Sequence, residues 1–122
     1  MAIGRIIKVH GKQCFLTRNL YRGSGMFAMC KGTIYLIYDN RGVIWMKVAV
    51  RRVPGHGTIV TDLASGYIVV SGIGAKTYRA AVRKVIKQYE TINRVMALDN
   101  YKHDVELCQK QYTELREVGI LK

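Results

Sequence analysis

The sequence predicts an α+β fold: an N-terminal, mostly antiparallel sheet of five or six strands followed by two C-terminal helices, in a single domain spanning 1–122. Three observations carry this expectation. Across 1–73, short runs rich in Val, Ile, Thr and Tyr are separated by turn residues at hairpin spacing. Across 77–118, apolar residues recur every third or fourth position, the period of a helix face. A chain of 122 residues that is 49% apolar is long enough to bury one real core.

The first strand is expected over Ile3–Val9, turned by Gly11-Lys12, with Cys14–Thr17 returning on the other side. Arg18, Asn19, Tyr21 and Arg22 then lead into Gly23-Ser24-Gly25. A glycine-rich bend carrying two arginines and a tyrosine can grip phosphate and stack on a base, or simply be a solvated loop. Met26–Cys30 is apolar, and Gly32 is read as a break.

Thr33–Tyr38 and Val43–Val50 are the clearest strands, joined by Asp39-Asn40-Arg41-Gly42 as a hairpin loop. The second is apolar but for Lys47, which implies burial on both faces or a subunit contact on one of them. Arg51 and Arg52 follow at the strand end, where neighbouring side chains point to opposite faces. After the turn at 53–57, Thr58–Leu63 and Tyr67–Val70 form a second hairpin around Ala64-Ser65-Gly66.

A glycine loop, Ser71 to Lys76, delivers the chain to Thr77, a residue suited to cap a helix N-terminus. The strand, loop and Lys-Thr pair suggest a phosphate cradle, but Val70 and Ala75 stand where a Walker A loop needs glycine. Beyond Thr77, Tyr78, Val82, Val85, Tyr89, Ile92 and Met96 make one apolar stripe, flanked by Arg79, Arg83, Lys84, Lys87 and Arg94. Asp99-Asn100 interrupts the pattern and is expected to cap a second helix, whose stripe is Leu98, Tyr101, Val105, Cys108, Tyr112 and Leu115. Two successive stripes suit an antiparallel helical pair or a dimer seam. Gly119 falls where a left-handed C-cap belongs.

Twenty basic residues against eight acidic give a net charge of +12, of which residues 1–76 carry +9. Such a field attracts nucleotides, nucleic acid, anionic lipid or an acidic protein. Catalytic constellations are missing from the sequence: no paired carboxylates, no nucleophile elbow and no zinc-helix motif are legible. His103, Asp104 and Glu106 are too few and wrongly spaced for a metal site, so neither metal nor cofactor is expected. Cys14, Cys30 and Cys108 are odd in number and widely spaced, which reads as buried thiols in a reducing compartment. With no apolar run of membrane-spanning length and no signal-peptide pattern, a cytoplasmic location is expected.

The expected function is therefore capture of a phosphate-bearing ligand without catalysis, by an oligomer. The candidate contacts are Arg18, Tyr21 and Arg22 in the early loop, Arg51 and Arg52 at the strand end, and Arg79, Arg83, Asn93 and Arg116 on the helices. Arginine forks onto phosphate, tyrosine offers a flat face to a base, and an asparagine amide reads a base edge. A short basic chain with this sheet, Thr58–Val70 as its last hairpin and helices from Thr77 and Asp99, resembles in layout the phage anti-Thoeris sponge proteins. That resemblance implies an oligomer that sequesters cyclic ADP-ribose isomers, or in some members cyclic oligonucleotides, without cleaving them. No motif matches residue by residue, so it assigns no ligand residue. Two alternatives stand beside it: a DNA- or RNA-binding protein, and an anti-CRISPR-type inhibitor of the same size that docks on a nucleic-acid-binding host protein.

Overall fold

A computed structural model describes residues 3–18, 27–72 and 75–121. The strands are β1 (Ile3–Arg18), β2 (Phe27–Asp39), β3 (Ile44–Val53), β4 (Gly57–Asp62) and β5 (Ile68–Val70). They form one antiparallel sheet in the order β1-β2-β3-β4-β5, so each strand pairs with its neighbour in sequence. Three helices follow: α1 (Tyr78–Lys87), α2 (Tyr89–Met96) and α3 (Asp99–Glu117). The α+β layout read from the sequence is the observed one.

The N-terminal strands correct the sequence reading. Gly11-Lys12 does not turn the chain back; β1 runs straight through it, and the register slips between Lys8↔Tyr35 and Lys12↔Thr33. Gly11 takes φ +83, so the extra residues are absorbed in a bulge at a position that tolerates a left-handed backbone. Gly32 likewise does not break β2. A Cβ there would come within 2.6 Å of the Val50 carbonyl oxygen and 3.0 Å of Phe15 Cε1, so glycine permits the close approach of β3 and of the Phe15 ring.

The Asp39 turn is as expected for a tight hairpin. Its Oδ1 accepts the N–H groups of Arg41 at 2.8 Å and Val43 at 3.0 Å. Burial alone would raise this carboxyl, but those bonds and the Arg41 guanidinium hold it below the usual range.

In β3, Val48, Ala49 and Val50 are all fully buried. Val48 and Val50 join the main core with Tyr35, Ile37 and Val60 from the sheet and Ala81, Val82 and Val85 from α1. Ala49 faces the other way, onto Phe15 and Ile34. The chain thus buries both faces of β3 by itself. The second face is covered partly because the sheet curls: the N–H of Arg18 donates to the Gly66 carbonyl at 2.9 Å, bringing the end of β1 back to the β4–β5 turn.

Thr77 caps α1 as its position predicts, its Oγ1 accepting from the Ala80 N–H at 3.0 Å. Thr77→Ala should cost about 1 kcal/mol in urea unfolding, while Thr77→Ser should restore most of it. The first apolar stripe is divided between two helices, because the backbone opens at Gln88 (φ −98, ψ 19). Tyr89 then lies against Trp45, with ring centroids 4.9 Å apart.

At the next junction the cap is Leu98, in extended conformation; Asp99 enters the first turn, where its charge suits the helix dipole. Gly119 ends α3 at φ +79. Its N–H bonds the Arg116 carbonyl and that of Ile120 bonds Leu115, the double closure expected of a glycine C-cap. The helices do not form the expected antiparallel pair. The stripe of α1 and α2 is occupied by the sheet, whereas Cys108 and Tyr112 of α3 pack on Leu16 of β1.

Candidate ligand groove

The β1–β2–β3 curl and α3 leave a groove of about 640 Å³ between them. Its apolar floor comes from the sheet face of Ile34 and Leu36, with Leu63 from the following turn. Trp45, Tyr101 and Tyr112 supply aromatic walls, and Lys47 and Arg116 are its cations. Both cations are exposed. Gln13 and Gln109 add amides, and Cys14 a half-buried thiol.

Each wall is fixed by a specific partner. Asp62, only 2% exposed, accepts from Ser65 Oγ at 2.7 Å, from the Ala64 N–H at 3.2 Å and from the Tyr101 hydroxyl. Burial, then the Asp62 charge and hydrogen bond, push the Tyr101 phenol well above its usual range. Tyr112 hydroxyl accepts the Leu16 N–H at 2.7 Å, tying α3 to β1, and burial raises its phenol too. Cys108 is pushed up to about 11, mainly by burial, so the thiol is held protonated and acts as packing. Trp45 Nε1 donates to Asn93 Oδ1 at 2.7 Å. Gln109 Nε2 donates to the Ala64 carbonyl at 2.9 Å, anchoring α3 to the β4–β5 turn.

The residues singled out in the sequence are dispersed. Arg18 ends β1 rather than standing in a loop, and its donors are committed within the fold. Nε reaches the Ser65 carbonyl and Nη2 the Asp104 carbonyl, both at 2.9 Å. Its guanidinium lies over the rings of Phe27 and Tyr67, 4.8 and 4.6 Å from their centroids. Tyr67 in turn donates to Asp104, which raises its phenol. Tyr21 and Arg22 lie outside the described residues.

Arg51 is half-buried and cross-strand from Ile59, with its buried Nε lacking a hydrogen-bond partner among the described residues. Arg52 is exposed over the Tyr78 ring and donates to the Lys76 carbonyl at 3.0 Å. Arg79 and Arg83 are exposed on α1. Asn93 accepts the Trp45 indole N–H and does not itself line the groove. Arg116 alone of the seven described candidates lines the groove, its guanidinium 5.6 Å from the Tyr112 centroid.

Sequence reasoning missed Lys47, Trp45, Tyr101 and Tyr112 as groove residues. One signal was available for Lys47, a lone charge in an otherwise apolar strand. The tyrosines were read only as core stripe, since periodicity does not tell a buried ring from one whose edge lines a cleft.

Cys14 and Cys30 are half-buried rather than buried, and all three thiols are free. Among the described residues, no three His, Cys, Asp or Glu side chains cluster as a metal site, and no helix is long and apolar enough to cross a membrane. No family model, curated protein or solved structure matches this chain.

Proposed function

We propose that this protein is a non-catalytic binder that captures a phosphate-bearing small ligand, a nucleotide, in the groove between the sheet and α3. The observation that carries the reading is the pairing of two exposed cations, Lys47 and Arg116, with an apolar and aromatic lining. Phosphate needs cations that keep their charge; a base needs flat apolar surface and a few amides. Lys47 and Arg116 make none of the fold's ion pairs among the described residues. Asp62, the groove carboxylate among the described residues, is engaged by three donors and so serves to anchor the wall. In line with the resemblance in layout, the ligand class is a cyclic nucleotide signal, sequestered in the cytoplasm by an oligomer as a phage counter-defence.

Native mass spectrometry of gently purified protein, followed by calorimetric titration with cyclic ADP-ribose isomers and cyclic dinucleotides, tests this. A retained or titrated nucleotide is expected, with Lys47→Glu and Arg116→Glu each weakening it about tenfold or more. Unchanged affinity in both variants, or no nucleotide bound at all, would remove the reading.

A further inference from the structure

The outward face of α1 carries chemistry that the groove does not use. The helix contains Arg79, Arg83, Lys84 and Lys87 and no acid, and Lys76 and Arg52 extend the charge beyond its N-terminus. All six are exposed. With about 100° per residue, Arg79, Arg83 and Lys87 fall within a wedge of about 80°, opposite the buried Ala81, Val82 and Val85. They form a ridge about 12 Å long. Among the described residues the ion pairs are Arg18–Asp104 and Arg41–Asp39, so no carboxylate pairs directly with this ridge; Glu90, exposed in the first turn of α2, is the one acid beside it in sequence.

We propose that this ridge docks on the phosphate backbone of a nucleic-acid duplex. Three alternatives fit less well. A membrane-surface helix would present large apolar side chains beside its cations, yet the α1 residues Val82 and Val85 are buried in the core. An acidic protein surface would need an apolar anchor at the centre of the contact, and the ridge offers only charge. Single strands are gripped by exposed aromatic rings, whereas Tyr78, the ring beside the ridge, is half-buried with Arg52 over it. A row of exposed cations suits a regular polyanion, where affinity comes from counterion release and carries no sequence preference. This inference rests on α1 and does not depend on the groove.

The test is fluorescence anisotropy with a labelled duplex of about 20 base pairs and arbitrary sequence, titrated between about 50 and 200 mM salt. Three neutralised phosphates, one for each of Arg79, Arg83 and Lys87, give a log–log salt slope of about −2.7. Arg83→Ala/Lys87→Ala should reduce that slope by about 2 and weaken binding, while Lys47→Ala/Arg116→Ala, which removes the same charge from the groove, should leave the slope unchanged. Alanine keeps the helix, and a circular dichroism melt checks each variant. Absence of duplex binding at the lowest salt, equal losses in the two double variants, tighter binding to a single strand of the same length, or equal binding to phosphatidylserine vesicles would each overturn the proposal. Failure of nucleotide capture leaves this readout unaffected, because no free nucleotide is present.

Discussion

Asp62→Ala is expected to destabilise the protein by about 3 kcal/mol, the loss anticipated when a buried charged acceptor is removed and its donors are left unpaired. Asp62 ends β4 and is 2% exposed. Its carboxylate gathers Ser65 from the turn, Tyr101 from α3 and the Ala64 N–H, so one side chain joins sheet, turn and helix. Alanine would leave the Ser65 and Tyr101 hydroxyls facing each other across an apolar gap. For a chain of 122 residues the loss corresponds to a fall in Tm of about 12 °C. Tyr101→Phe should cost less, about 1 to 2 kcal/mol, because a carboxylate keeps its other two donors. In urea unfolding, the double variant should be less unstable than the sum of the singles, since both remove the same bond. A simple sum would show that Asp62 and Tyr101 do not work as a unit.

Phe15→Ala should be more damaging still, about 3 to 5 kcal/mol. The ring is 1% exposed and forms the centre of the second apolar cluster with Ile34 and Ala49. It also covers Gly32, where no side chain of β2 can fill the space. Phe15→Leu should recover a large part of the loss. Gly32→Ala should be destabilising in both backgrounds, because its methyl meets the Val50 backbone oxygen at 2.6 Å whether or not the ring is present. If Phe15→Ala made Gly32→Ala harmless, the approach of β3 to Gly32 would not be the constraint.

Much of this architecture was legible from local patterns. Thr77, Asp39 and Gly119 act within four residues of themselves, and all three occupy the turn or cap that their chemistry implies. What escaped was non-local. Gly11 and Gly32 look alike as strand breakers, but one bulges a continuous strand and the other admits a ring from the neighbouring strand. The helical stripes were found, yet periodicity does not say what a stripe meets, and α3 meets β1 rather than α1. The same gap explains the candidate residues. Arg18 has the chemistry of a phosphate ligand, but Ser65 and Asp104, far along the chain, occupy its donors. Lys47 and Arg116, distant in sequence, share a groove only because the sheet curls beneath α3.

The return of β1 to the β4–β5 turn also bears on how the chain reaches this state. Every strand pairing joins sequence neighbours, so the meander can grow by closing one short loop after another. The clasp is different: Leu16 meets Tyr112 across 96 residues, Arg18 meets Asp104 across 86 and Ser65 across 47. Closing such long loops costs entropy that only the finished contacts offset. The expected order is therefore hairpins first and clasp last, with the slowest step set by the meeting of the two ends of the polypeptide. During that interval the end of β1 at Leu16 waits for Tyr112, while the rest of its edge is guarded by the bulge at Gly11 and by Lys8 and Lys12.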